Sequence, residues 1–179
     1  MTIIEVPDIQ DVKLAMPDVH SDERGLFVET YRKEWFGTEM VQANRADRAQ
    51  GCIVGLHYHL KQADYWYVPF GRARVVLYDL RINSPTQGSA FTLDLGIGQN
   101  VNTGVYIPAG VAHGFAALTD ITITYLVDRY YDPADELGMA YNDPNVAVDW
   151  GIETPVLSER DQQNPLLADI ADELLPRCI

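Results

Sequence analysis

Short runs rich in β-branched and aromatic residues recur along the chain: LFVETY (26–31), IVGLHYH (53–59), YWYV (65–68), ARVVLYDLR (73–81), AFTLDL (90–95), GVYIP (104–108), HGFAAL (113–118) and ITITYLVDRYY (121–131). Their lengths and composition are those of strands. The stretches between them, Ser84-Pro85-Thr86-Gln87-Gly88, Gly96-Ile97-Gly98-Gln99-Asn100, Pro108-Ala109-Gly110 and Asp132-Pro133, supply turn geometry. The pattern predicts an all-β domain, and closure into a barrel or two-sheet roll is the economical way to leave few exposed edges. Helical spacing is confined to two short pieces, Arg32 to Phe36 and Leu166 to Leu175. A chain of 179 residues without repeat or linker suits one domain.

Charge narrows the partners. A net charge of −13 with only scattered Lys and Arg repels polyanions, which argues against DNA and RNA. A small anion is compatible, because two or three arginines can hold a diphosphate locally; Arg24, Arg72, Arg74 and Arg81 are available, each equally readable as part of a solvated strand face. The opening MTIIEVPDIQDVKLAM has no basic-then-apolar leader, and no apolar run approaches the ~20 residues of a membrane span. Cys52 and Cys178 match no metal or redox spacing and read as free thiols, so a cytoplasmic location is expected.

Histidine spacing carries the chemistry. Gly51 is followed after five residues by His57, after one more by His59, after four by Asp64 and after six by Gly71; further on stands Pro108-x-Gly110-x-x-His113. Residues two apart on a strand share a face, so His57 and His59 enter one interior, where Asp64 and His113 can join them. The pattern resembles the two-part metal motif of the cupins, with aspartate in place of glutamate, Asn102 at the second motif's leading glycine and Ala117 at its closing asparagine. His57, His59, Asp64 and His113 would suit Zn, Fe, Mn or Ni. The same histidines read equally as hydrogen-bonded pocket residues without a metal.

A wider set of segments resembles the dTDP-4-dehydrorhamnose 3,5-epimerase family of cupin-type barrels. They are Asp22-Glu23-Arg24-Gly25-Leu26-Phe27-Val28-Glu29, Gln42-Ala43-Asn44, Gly55-Leu56-His57-Tyr58, Asp79-Leu80-Arg81 with Ser84-Pro85-Thr86-x-Gly88, Ile107-Pro108-Ala109-Gly110-x-Ala112-His113-Gly114-Phe115, Tyr125, Tyr131-x-Pro133, Asn142-Asp143-Pro144 and Leu157-Ser158-x-Arg160-Asp161. The resemblance implies a cupin-type double-stranded β-helix, or jelly roll, with short peripheral helices. It also implies a homodimer exchanging an N-terminal arm (about 1–23), a short C-terminal helical segment (about 159–179), no cofactor, and epimerisation of a nucleotide-activated 4-keto-6-deoxy sugar. On that resemblance His57 is the general base oriented by Asp161, and Tyr125 returns a proton from the opposite face. Arg24, Glu29, Gln42, Asn44, His113 and Tyr131 then fall at substrate-binding positions.

Two departures bear on mechanism. Val54 stands where the family motif has arginine, and Asp64 where it has the lysine that meets the charge developing on the keto oxygen. A divalent ion on His57, His59, Asp64 and His113 would replace that lysine as a Lewis acid, but would deny His57 the role of base. Three functions follow: the epimerase, a metal-dependent cupin enzyme with a 3-His/1-carboxylate site acting on another small molecule, and a non-catalytic sugar-nucleotide binder.

Overall fold

The computed structural model describes residues 1–98 and 100–178. Six strands form one sheet in the order β1 (Thr2–Glu5), β2 (Lys13–Met16), β10 (Gly104–Ile107), β7 (Asp64–Phe70), β12 (Ile121–Val127), β5 (Gln42–Arg48). Five form a second, in the order β13 (Leu137–Gly138), β6 (Ile53–Tyr58), β11 (Val111–Ala117), β8 (Arg72–Asp79), β9 (Ala90–Gly96). Nearly all neighbours are antiparallel, and the two sheets close as a cupin-type jelly roll.

Alternation along each strand explains the closure. Trp66 and Val68 of β7 point into the main core with Val75 and Leu77 of β8 and Ile121 and Ile123 of β12. Tyr65 and Tyr67 point the other way, into an aromatic cluster with Phe36 and Tyr106. Val76 and Tyr78 of β8 likewise face outward, beneath Met139, Val146, Trp150 and Ile170. The C-terminal third therefore covers the outer face of the five-stranded sheet. Both faces of the central strands are buried, so their sequences read as continuous apolar runs instead of strict alternation.

Elements lacking that apolar signature escaped the sequence reading. Strands β1 and β2 lie within the segment read as an N-terminal arm, yet β2 pairs with β10 and belongs to the barrel. Strand β3 (Val19–Asp22) pairs with β4 (Gly25–Val28), which falls in the expected run LFVETY, and the hairpin forms a separate two-stranded sheet that carries exposed Leu26 and Phe27. Strand β5 is mostly polar and lies at a sheet edge, where Ala43, Arg45 and Asp47 face solvent.

The expected helices shrink. Arg32 to Phe36 contains one 3-10 turn at Lys33–Trp35, and Leu166 to Leu175 holds two such turns, Leu167–Asp169 and Asp172–Leu174, broken by extended backbone at Ile170 and Ala171. Proline at 165 and 176 bounds the latter segment, and Ile170 packs on the barrel. The one α-helix among the described residues, α1, spans Glu159–Gln163. Among the described residues no helix is long and apolar enough to cross a membrane.

Candidate active site

A cavity of about 390 Å³ opens between the two sheets. From β5, alternate residues Gln42, Asn44, Ala46 and Arg48 line it; β6 contributes Val54 and His57, β7 Asp64 and Trp66, and β12 Tyr125 and Val127. Period-2 geometry places the side chains of β5, β7 and β12 on the inner wall, whereas Val54 and His57, three residues apart, share it because the pairing of β6 with β11 shifts between them. His59, Gln62, His113, Phe115, Tyr131 and Glu136 complete it.

Backbone proximity fixes the two central histidines. His57 of β6 is the register partner of His113 of β11, and the pairing shifts just beyond, between His113 and Phe115. A Cβ at Gly55 would lie 2.7 Å from the Gly114 Cα and 2.9 Å from the His113 carbonyl oxygen, so only glycine permits this approach of the strands.

His57 forms a pair with Asp161 of α1, Nε2 to Oδ1 2.7 Å. The carboxylate only accepts, so Nε2 carries the proton and Nδ1 is left with a lone pair, 3.8 Å from Glu136 Oε1. Ser158, the N-cap of α1, donates its hydroxyl to Asp161 Oδ2 at 2.8 Å and accepts from the Asp161 amide at 3.0 Å, which locks the carboxylate in place. Burial pushes the Asp161 carboxyl up, but the hydrogen bonds of His57 and of the Ser158 hydroxyl hold it below the usual carboxylate range. Burial likewise pulls Glu136 up, and the hydrogen bond of the Arg160 guanidinium at 2.8 Å brings it down. Two carboxylates are therefore poised to stabilise an imidazolium at position 57.

Tyr125 reaches the same cavity from the facing sheet. Burial is the main reason its phenol stays above the usual range, with the Arg48 charge opposing, so it is protonated at neutral pH. The Gln42 amide donates to Asn44 Oδ1 at 2.9 Å, and Gln42 Oε1 accepts from the Tyr131 backbone amide at 3.3 Å, which ties the Tyr131 loop to β5.

The four-residue metal set does not assemble as the spacing suggested. Ligand atoms of His59, Asp64 and His113 lie within 4.8 Å of one another, whereas His57 is turned onto Asp161. His59 Nδ1 donates to the Asp135 carbonyl at 2.7 Å and His113 Nδ1 to the Val111 carbonyl at 2.9 Å, leaving both Nε2 atoms as acceptors toward Asp64. Each Nε2 is 4.0 Å from an Asp64 oxygen, wider than the ~3.4 Å that a tetrahedral site with 2.0–2.2 Å bonds would set. The Gln62 amide already donates to Asp64 Oδ1 at 2.9 Å and lies 3.2 Å from His59 Nε2, and the Trp66 indole N–H donates to Asp64 Oδ2 at 3.0 Å. Three of the four residues, His59, Asp64 and His113, thus stand where they could hold an ion, joined here by the hydrogen bonds of Gln62 and Trp66, while His57 is not part of the set. Burial holds His113 well below the usual imidazole range, so it is neutral.

Of the sequence-predicted residues, the structure brings together His57, Asp161, Tyr125, Gln42, Asn44, His113 and Tyr131, with Asp161 behind His57. Arg24 and Glu29 are elsewhere: Arg24 is ion-paired with Asp22 on the exposed hairpin, and Glu29 with Arg32 at 2.7 Å. The hairpin does not fold back over its own barrel, so neither residue lines this cavity. Of the arginines offered for a small anion, Arg74 pairs with Asp94 and Arg81 with Asp79. Arg48, Gln62, Trp66 and Glu136 were not read from the sequence; for Arg48 the alternation with Gln42 and Asn44 was a usable signal.

Known proteins resemble the chain along most of its length. The family profile described as dTDP-4-dehydrorhamnose 3,5-epimerase matches residues 7–169. A dTDP-4-dehydrorhamnose 3-epimerase from Streptomyces niveus is 36% identical over 181 residues, covering 94% of this chain and 86% of the relative. A dTDP-4-dehydrorhamnose 3,5-epimerase from Neisseria gonorrhoeae is 35% identical over 90% of this chain, which spans about half (51%) of that relative's length. The crystal structure of a dTDP-6-deoxy-D-glucose-3,5-epimerase from Legionella pneumophila in complex with dTDP-4-keto-L-rhamnose superposes with a TM-score of 0.91 at 34% identity, covering 99% of this chain and 98% of that one.

Proposed function

The chain belongs to the dTDP-4-dehydrorhamnose 3,5-epimerase family, and from that premise we propose that it is an isomerase that epimerises a nucleotide-activated 4-keto-6-deoxy sugar. The observation that carries the reading is the His57–Asp161 pair, 2.7 Å apart, facing Tyr125 across one cavity. A proton alpha to a ketone is acidified by the carbonyl, and a base on one face with an acid on the other inverts the carbon through an enolate. His57 Nδ1 takes the proton, the Asp161 and Glu136 carboxylates stabilise the resulting imidazolium, and the Tyr125 phenol delivers a proton to the opposite face.

Asp64 is compatible with this chemistry because its charge is directed elsewhere. Both its oxygens accept hydrogen bonds from Gln62 and Trp66. The substrate oxygen is met by neutral donors on the cavity wall, among them the Gln42 and Asn44 amides and the Tyr131 hydroxyl. We place Arg24 and Glu29 at the cavity of a second copy, delivered by the exposed hairpin, which would make the enzyme a homodimer; exposed Leu26 and Phe27 on that hairpin support the reading. Light scattering tests it, and a monomer at working concentration refutes it.

Solvent deuterium exchange at C3 and C5 of a dTDP-4-keto-6-deoxy sugar tests the function. Exchange at either carbon that disappears in His57→Asn supports the epimerase. Nucleotide binding without exchange makes the protein a sugar-nucleotide binder, and neither result leaves an enzyme of another small molecule.

A further inference from the structure

One lining residue is not used by the proton transfers. Arg48 is the sole Lys or Arg among the described residues of the cavity wall, which also carries the carboxylates of Asp64 and Glu136. Arg24, Arg32, Arg45, Arg74, Arg81 and Arg160 each hold a carboxylate, and Arg72 and Arg129, which do not, lie outside the cavity wall. The Arg48 guanidinium donates instead to a backbone carbonyl, that of Asp47 at 2.9 Å, and among the described residues no carboxylate lies within ion-pair distance of it. In a chain with 26 acidic and 13 basic residues, an arginine left without a carboxylate at a cavity mouth is available for an anion.

Its position along β5 defines which anion. Asn44 is the register partner of Tyr125, and Arg48 that of Ile121, so Arg48 lies four residues, about 13 Å of strand, from the level of the proton donor. With the reach of its long side chain, the guanidinium can meet a group that lies beyond the sugar ring, where the diphosphate of a nucleotide sugar falls. Val54, the position at which the family motif carries arginine, lines the same cavity from β6. We infer that Arg48 is the diphosphate anchor of this enzyme, supplying from β5 a cation that Val54 on β6 does not.

The inference rests on the nucleotide-sugar reading, and calorimetric binding of dTDP and of thymidine separates the two. Arg48 is exposed and makes no core contact, so Arg48→Gln is expected to fold. Wild type should bind dTDP well above thymidine. Arg48→Gln should weaken dTDP about tenfold or more, the loss of one charge-assisted contact, and leave thymidine unchanged. The double variant Arg48→Gln/Val54→Arg should recover most of the dTDP affinity. Wild-type affinity of Arg48→Gln for dTDP, or equal weakening of dTDP and thymidine, overturns the assignment; failure of the wild type to bind dTDP at all sinks the nucleotide-sugar reading itself.

Discussion

Replacing Asp161 by asparagine isolates the charge behind the base from its geometry. Asparagine keeps the shape: its carbonyl oxygen can accept from His57 Nε2, as Asp161 Oδ1 does at 2.7 Å, and its amide can donate to Ser158 Oγ, which now donates to Oδ2 at 2.8 Å. The imidazole tautomer is thereby preserved, with Nδ1 still the acceptor in the cavity. What disappears is the negative charge that stabilises the imidazolium, on a residue only 4% exposed, where water does not compensate. A hydrogen bond to a charged group contributes about 1.5–3 kcal/mol, so at about 1.4 kcal/mol per tenfold kcat should fall roughly 10- to 160-fold. Glu136, 3.8 Å from Nδ1, remains and keeps the loss below that of removing the base. The assay is the initial rate of deuterium incorporation alpha to the keto group by proton NMR, at saturating substrate. An Asp161→Asn rate within threefold of wild type, while His57→Asn is inactive, would refute the idea that this carboxylate powers the base.

Other substitutions probe separate parts of the structure. Tyr125→Phe should leave proton abstraction by His57 intact, so exchange into recovered substrate persists while epimer formation drops at least 100-fold; parallel loss of both, read by NMR, would remove Tyr125 from the protonation step. Because burial keeps the Tyr125 phenol above its ordinary value, epimerisation should not lose this acid as pH rises to about 10, and a loss of rate near pH 8 that vanishes in Tyr125→Phe would contradict the placement. Chelation with EDTA during purification should leave the rate unchanged, since Gln62 and Trp66 engage the Asp64 oxygens; activity lost and then restored by Zn²⁺ or Mn²⁺ would overturn the metal-free cluster. Away from the cavity, Asp79 is fully buried, and although burial raises its carboxyl, the hydrogen bonds of Arg81, Ser84 and Thr86 hold it below the usual carboxylate range. Its contribution to stability is therefore complete above about pH 4 and is lost as pH falls through the lowered folded value. Asp79→Asn should cost about 3–5 kcal/mol by leaving the buried Arg81 with only the half-exposed Asp11, at 3.5 Å, as counter-charge, a fall in Tm of roughly 6–20 °C by calorimetry.

What the sequence determined by itself is local: which segments are strands, and which residues share a strand face. Apolar β-branched and aromatic runs bounded by turn residues need no partner to be read, so the central strands were legible, and the two-residue spacing of His57 and His59 made their common inward face legible as well. Strands β1, β2, β3 and β5 were not, because their pairing follows from sheet edges and main-chain hydrogen bonds that leave no apolar signature. The family segments supplied His57, Tyr125 and Asp161, yet spacing could not say which imidazole nitrogen is free. That was decided by partners distant in sequence: Asp161 holding His57, and the Asp135 carbonyl holding His59, 76 residues away. Only tertiary structure turned the apparent four-ligand set into a base–carboxylate pair and a separate hydrogen-bonded cluster, because a side chain's direction is set by the strongest acceptor within reach once the sheets have closed.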